Sequence, residues 1–88
     1  MRTRVILECP AYRSDMYTPR CINDSLMRQE APVCGILLNQ DQPGASIWSC
    51  MAEKTVVYID HGIDEQMAYG VAEAIRIGRP VEYRTIGV

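Results

Sequence analysis

The polar groups of this 88-residue chain best suited to hold a small molecule fall in one short stretch, Asp60-His61-Gly62-Ile63. A carboxylate at 60 can accept hydrogen bonds from sugar hydroxyls or from a base edge. Glycine at 62 admits positive φ and lets a ligand approach the main chain closely. A helix opening near Asp64 would add free N–H groups and a positive dipole end, which suit a phosphate or carboxylate. The same Asp-x-Gly spacing is also that of a plain tight turn with a capping carboxylate, and both readings stand at this point. His61 is the only histidine; in a turn it reads as a solvated or capping residue before it reads as a catalyst. No Ser/His/Asp arrangement is arguable, and neither Gly-x-x-x-x-Gly-Lys nor Gly-x-Gly-x-x-Gly occurs. Lys54, the only lysine, precedes a strand, so no Schiff-base or phosphate-loop lysine is expected.

These residues need a scaffold, and the chain spells one out. Residues 4–9 are a short apolar run ended by Pro10, and a polar loop with Tyr12, Arg13 and Tyr17 follows. Thr18-Pro19 reads as a helix start, a hydroxyl cap followed by proline at the first helical position. Ile22, Leu26 and Gln29 then recur at helical spacing with Ser25 beside them, and Pro32 is expected to end the helix. Residues 33–38 form a second apolar run. After a turn-rich loop, Ser46 can cap a brief helix through Ile47, Trp48, Met51 and Ala52. Residues 55–59 are the strongest strand signal in the chain. Asp64 caps the last helix, whose Met67, Ala68, Val71, Ala72 and Ile75 share one face. Gly78 closes it, Pro80 follows, and residues 81–86 form a final, half-exposed edge strand.

The order β-α-β-α-β-α-β predicts a single α/β domain over residues 1–88: a small open parallel sheet, Rossmann- or flavodoxin-like, with strand order 2-1-3-4. Ligands favour the carboxyl ends of strands where the order reverses. That point brings Cys9, Pro10, Tyr12 and Arg13 after the first strand beside Asp60, His61, Gly62 and Ile63 after the third. Trp48 and Met51, on the shortest helix, are expected at a subunit interface.

Composition narrows the classes further. Eight of the nine basic residues are scattered arginines, and the net charge is −2. Nucleic acid is therefore not an expected partner, and the arginines read as solvated faces, with Arg13 a candidate for an anion pocket. No apolar window is long enough to span a bilayer, and the N-terminal run breaks at Glu8 before it could serve as a signal sequence; the expected compartment is the cytoplasm. Cysteines 9, 21, 34 and 50 include no Cys-x-x-Cys pair, so free buried thiols are expected, with no metal site and no cofactor.

The segments Val5-Ile-Leu-Glu-Cys-Pro-Ala-Tyr, Arg20-Cys-Ile-Asn-Asp-Ser-Leu-Met-Arg, Asp60-x-Gly-x-x-x-x-Met-x-Tyr-Gly and Gly78-Arg-Pro-Val-Glu-Tyr-Arg resemble a group of small phage and bacterial proteins, more distantly similar to nucleoside 2-deoxyribosyltransferases and deoxynucleotide N-glycosidases. Relative to longer members the chain is pared down between about Gln40 and Glu53. The resemblance implies a pocket for a nucleoside, nucleotide or related ribosyl compound, and host cytoplasm if the protein is phage-encoded. Aligned on the Asp-x-Gly-Thr-x-x-Glu motif of those enzymes, Asp60 and Gly62 match, and the catalytic glutamate falls on Gln66. An amide is no nucleophile and no carboxylate base, so no catalytic residue is assigned. Glu65 is turned about 100° away along a helix. Three functions follow: non-catalytic binding of a nucleotide-like ligand; an interaction module that binds or inhibits a host protein through Trp48 and Met51; and residual glycosidase or transferase activity through Glu65 or another carboxylate. A homodimer is expected under each, because so short a chain gives a parallel sheet little cover.

Overall fold

The computed structural model of the chain describes residues 2–10, 16–35 and 51–87. Four parallel strands, β1 (Thr3–Glu8), β2 (Glu30–Cys34), β3 (Lys54–Tyr58) and β4 (Val81–Arg84), form one open sheet in the order β2-β1-β3-β4. Helix α1 (Tyr17–Met27) links β1 to β2, and α2 (Glu65–Ile77) links β3 to β4. This is the Rossmann-like sheet and strand order expected from the run lengths. The first crossover moves to one side of β1 and the last moves to the other. The carboxyl ends of β1 and β3 therefore stand together where the order reverses, with Glu8 opposite Val57.

Alternation along the strands sends Val5, Leu7 and Cys9 of β1 to the α1 side, where they pack with Tyr17, Cys21, Val56 and Tyr58. Ile6, Glu8, Thr55 and Val57, all buried, project from the other face, which α2 covers with Met67 and Ala74.

Helix α1 departs from expectation in register. It starts at Tyr17, with Met16 in the left-handed region at φ 61 and no side-chain cap. Thr18 does not cap; its hydroxyl donates to the Pro10 carbonyl at 2.6 Å. Pro19 is the third helical residue, where an N–H would have no intrahelical partner in any case. The buried face is Tyr17, Cys21 and Ser25, while Leu26 and Gln29 are exposed. Nor does Pro32 end the helix. The chain has already turned at Arg28 and at Gln29 (φ 66), and Pro32 lies within β2. It is tolerated there because β2 ends the sheet order and a missing donor can face outward.

Helix α2 is bounded as expected. The Asp64 carboxylate accepts the Met67 N–H at 2.9 Å. At the other end Gly78, at φ 80, donates to the Ile75 carbonyl, and Arg79 N–H donates to Ala74, the paired bonds of a Schellman stop. Its buried face is Met67 and Ala74 with Gly70 and Val71 between them; Ala68, Ala72 and Ile75 point outward.

Two arginines expected at the surface are buried instead, Arg79 and Arg84, each 8% exposed. Arg84 reaches across the α1 face to Glu30, with Nη1 to Oε1 at 2.9 Å and Nη2 to Oε2 at 2.5 Å. Ser25 donates to Glu30 at 2.7 Å, Lys54 lies 3.3 Å from it, and the Tyr58 hydroxyl accepts from Arg84. Burial opposes ionisation of Glu30, but the bonds from Arg84 and Ser25 prevail and hold its carboxyl down at about 2.

Candidate functional site

The turn after β3 is closed by the Gly62 N–H donating to the Ile59 carbonyl at 3.0 Å, with Gly62 at φ 84. A Cβ at residue 62 would meet nothing within 4 Å, so glycine is required here by the backbone angle and not by crowding. The turn presents Gly62 and Ile63 to solvent.

Asp60 is occupied by fastening. Its Oδ1 accepts from the Tyr17 hydroxyl at 2.6 Å, and its two oxygens accept the backbone N–H groups of Ile86 and Gly87 at 3.0–3.1 Å. The Asp60 N–H in turn donates to the Tyr17 oxygen at 3.2 Å. One carboxylate thus ties the start of α1 and the segment after β4 to the end of β3. Tyr17, expected in the polar loop, is instead a core residue at the start of α1. Burial and the bond to the Asp60 carboxylate push its phenol well above the ordinary range. His61 is exposed and sets its ring edge-on to Tyr17, with centroids 4.5 Å apart.

The residues expected after β1 divide across the sheet. Cys9 is buried on the α1 side, among Cys21, Cys34 and Thr18. The hydrogen bond with Cys21 and burial push its thiol up to about 11, while Cys21 is held down by the same bond. Cys9, Cys21 and Cys34 are free thiols; Cys9 and Cys21 are buried, as expected, and Cys34 is half-buried. Pro10 is half-buried. Tyr12, Arg13, Trp48 and Cys50, with most of the brief helix expected at 46–52, lie outside the described residues; Met51 is exposed, and its carbonyl accepts from Arg4 Nε at 2.8 Å. Gln66 is half-buried in the first turn of α2, on the opposite side from Cys9.

Glu8 is the residue that the reading from sequence passed over. It is the last residue of β1, 3% exposed, and lies beneath α2. Among the described residues no donor hydrogen-bonds its carboxyl. A Cβ placed on Gly70 would lie 2.0 Å from Glu8 Oε2, and one on Gly35 would lie 2.1 Å from the same atom. The carboxyl thus fills a slot between two bare backbones. Desolvation, aided by the negative charge of Asp64 and opposed by Arg79, raises it to about 8. The signal was present: a carboxylate inside an apolar run that a two-sided parallel sheet should keep apolar.

Gln66 precedes Gly70 by four residues, so its amide comes off α2 one turn nearer the strand ends on the same stripe. The Asp64 cap takes the Met67 N–H, and helix geometry leaves those of Glu65 and Gln66 pointing past the helix start. The arrangement can therefore bind polar or anionic groups by backbone N–H and amide. A separate groove of about 330 Å³ runs along the outside of α1, lined by Met16, Arg20, Asp24, Met27 and Ile86 among others. One of its lining residues, Ile86, is held by Asp60 through its backbone N–H. Among the described residues, no cluster of His, Cys, Asp or Glu is placed to hold a metal ion, and no helix is long and apolar enough to cross a membrane.

No protein-family model, curated protein or solved structure matches this chain.

Proposed function

We propose that the carboxyl edge between β1 and β3 binds a nucleoside, nucleotide or related ribosyl ligand without breaking its glycosidic bond. The open first turn of α2 at the point of strand reversal carries this reading: an exposed glycine turn, two N–H groups directed past the helix start, and the Gln66 amide beside them. The N–H groups suit a phosphate or a ring oxygen. The amide can both donate to and accept from a sugar hydroxyl. Binding without cleavage follows from Gln66 itself, which stands where the resembled enzymes carry their catalytic glutamate, and from the enclosure of Glu8 away from solvent.

Thermal denaturation of the purified chain with a panel of nucleosides, deoxynucleotides and cyclic or ribosylated nucleotides tests the reading. A ligand at a hundredfold excess over its Kd stabilises the folded state by about 2.7 kcal/mol, on the order of 10 °C for a chain of this size. The shift is expected to vanish in Gln66→Ala. Asp60→Ala is unsuitable as a control because it would detach structural bonds. No shift with any compound would overturn the reading and favour the second one, contact with a protein. That alternative is supported by the outer face of α2, where Tyr69, Ile75 and Ile77 are exposed.

A further inference from the structure

We propose that Glu8 is a proton-dependent latch that holds α2 against the carboxyl ends of β1 and β2, closed while its carboxyl keeps its proton and loosened when the proton is lost. The geometry is that of a wedge. Glu8 Oε2 lies where a side chain on either Gly70 or Gly35 would have to go, so the carboxyl bridges the helix and the end of β2. Its withdrawal would leave a side-chain-sized void between two bare backbones, which water can enter. No charge-assisted bond rewards the carboxylate for staying, since no described donor reaches it, and a buried charge without a partner is strongly disfavoured.

Among the described residues, the groups facing Glu8 do not outweigh this. Asp64, at the start of α2, adds negative charge and is engaged in capping. Cys34, from β2, has a thiol held far above its ordinary range by its bond to Cys9 and by burial, so it stays neutral over the pH range concerned. Arg79, beyond α2, pulls the other way, but its effect is the smallest of those acting on Glu8.

The sign follows from the two states. When α2 is seated the carboxyl keeps its proton up to about pH 8; once released into water it ionises near its ordinary value of 4.5. Opening therefore becomes about tenfold easier for each pH unit between those limits and levels off above the upper one.

The test is hydrogen exchange of the α2 amides in the full chain, corrected for the intrinsic pH dependence of exchange. Residues around Gly70 are expected to exchange roughly 100-fold faster at pH 7.5 than at pH 5.5, and Glu8→Gln, which cannot ionise, should remove the change. Equal acceleration in Glu8→Gln, or none in the unaltered chain, would overturn the proposal. Gly70→Ala supplies a test that does not depend on Glu8→Gln folding. By displacing the carboxyl, it should give fast exchange in α2 at pH 5.5, and unchanged exchange there would overturn the latch. None of these readouts involves a ligand, so they stand or fall apart from the proposed function.

Discussion

A methyl group added at residue 70 would normally help a helix, since alanine is about 1 kcal/mol better than glycine in a helix interior. Here it would lie 2.0 Å from Glu8 Oε2. Gly70→Ala is therefore expected to destabilise the chain by about 2 kcal/mol, the usual scale of overpacking. In a Glu8→Ala background the same change should become favourable by about 1 kcal/mol. Denaturant melts of the four proteins check the pair, and additive effects would show that the two residues do not share the slot. The same facts explain why the site was half legible. Asp60 and Gly62 stand out as a pair because the turn is local, and the turn is there. What Asp60 does depends on Tyr17, Ile86 and Gly87, which lie 43, 26 and 27 residues away.

At the scale of the element, the two ends of α2 were readable; the ends of α1 and the buried faces of both helices were not. Asp64 and Gly78 act on groups within one turn of themselves, so the local pattern suffices. The buried faces are chosen by what the sheet offers. Both helices lie close to it on small residues, Cys21 and Ser25 in α1, Gly70 and Ala74 in α2, while Leu26 and Ile75 face outward. A pattern weighted by size selects the neighbouring stripe, about 100° away. In α1 the choice is reinforced by Ser25, which must reach Glu30. The segment after β4 has its own anchor in Asp60. In Asp60→Ala the backbone of residues 85–87 is expected to become mobile on the nanosecond scale. Heteronuclear NOE values at 86 and 87 should fall, with a loss of about 1.5–3 kcal/mol for bonds to a charged acceptor. Retained NOE values would mean that the segment is held by the packing of Ile86 alone.

For the whole molecule, the sheet order was legible because right-handed crossovers leave few ways to close four parallel strands. The charge network beneath α1 was not, since Glu30 and Arg84 are 54 residues apart. Together with Glu8 it sets how stability depends on acidity. Glu30 is depressed from 4.5 to about 2, so its contribution is complete above pH 4.5 and is lost as pH falls toward 2. Glu8 is raised from 4.5 to about 8, so its contribution is complete below pH 4.5 and is lost as pH rises toward 8. For either group, each pH unit that separates the folded from the unfolded pKa corresponds to about 1.4 kcal/mol. Unfolding free energy is expected to crest near pH 5 and to decline toward both sides. Melts at pH 3, 5 and 8 check this, and Glu8→Gln should level the alkaline side only.

Pro32 has a consequence beyond the fold that tolerates it. Among the described strands the outer flank of β2 has no neighbour; such a flank is where another chain could be templated as a further strand, and repeated addition of that kind is how sheets polymerise into fibrils. Proline carries no N–H, and it occupies the middle residue of the five in β2. An incoming strand would meet a gap at the centre of its ladder, with too few donors on either side to hold register. The residue that looked like a helix stop is thus a guard against runaway self-association.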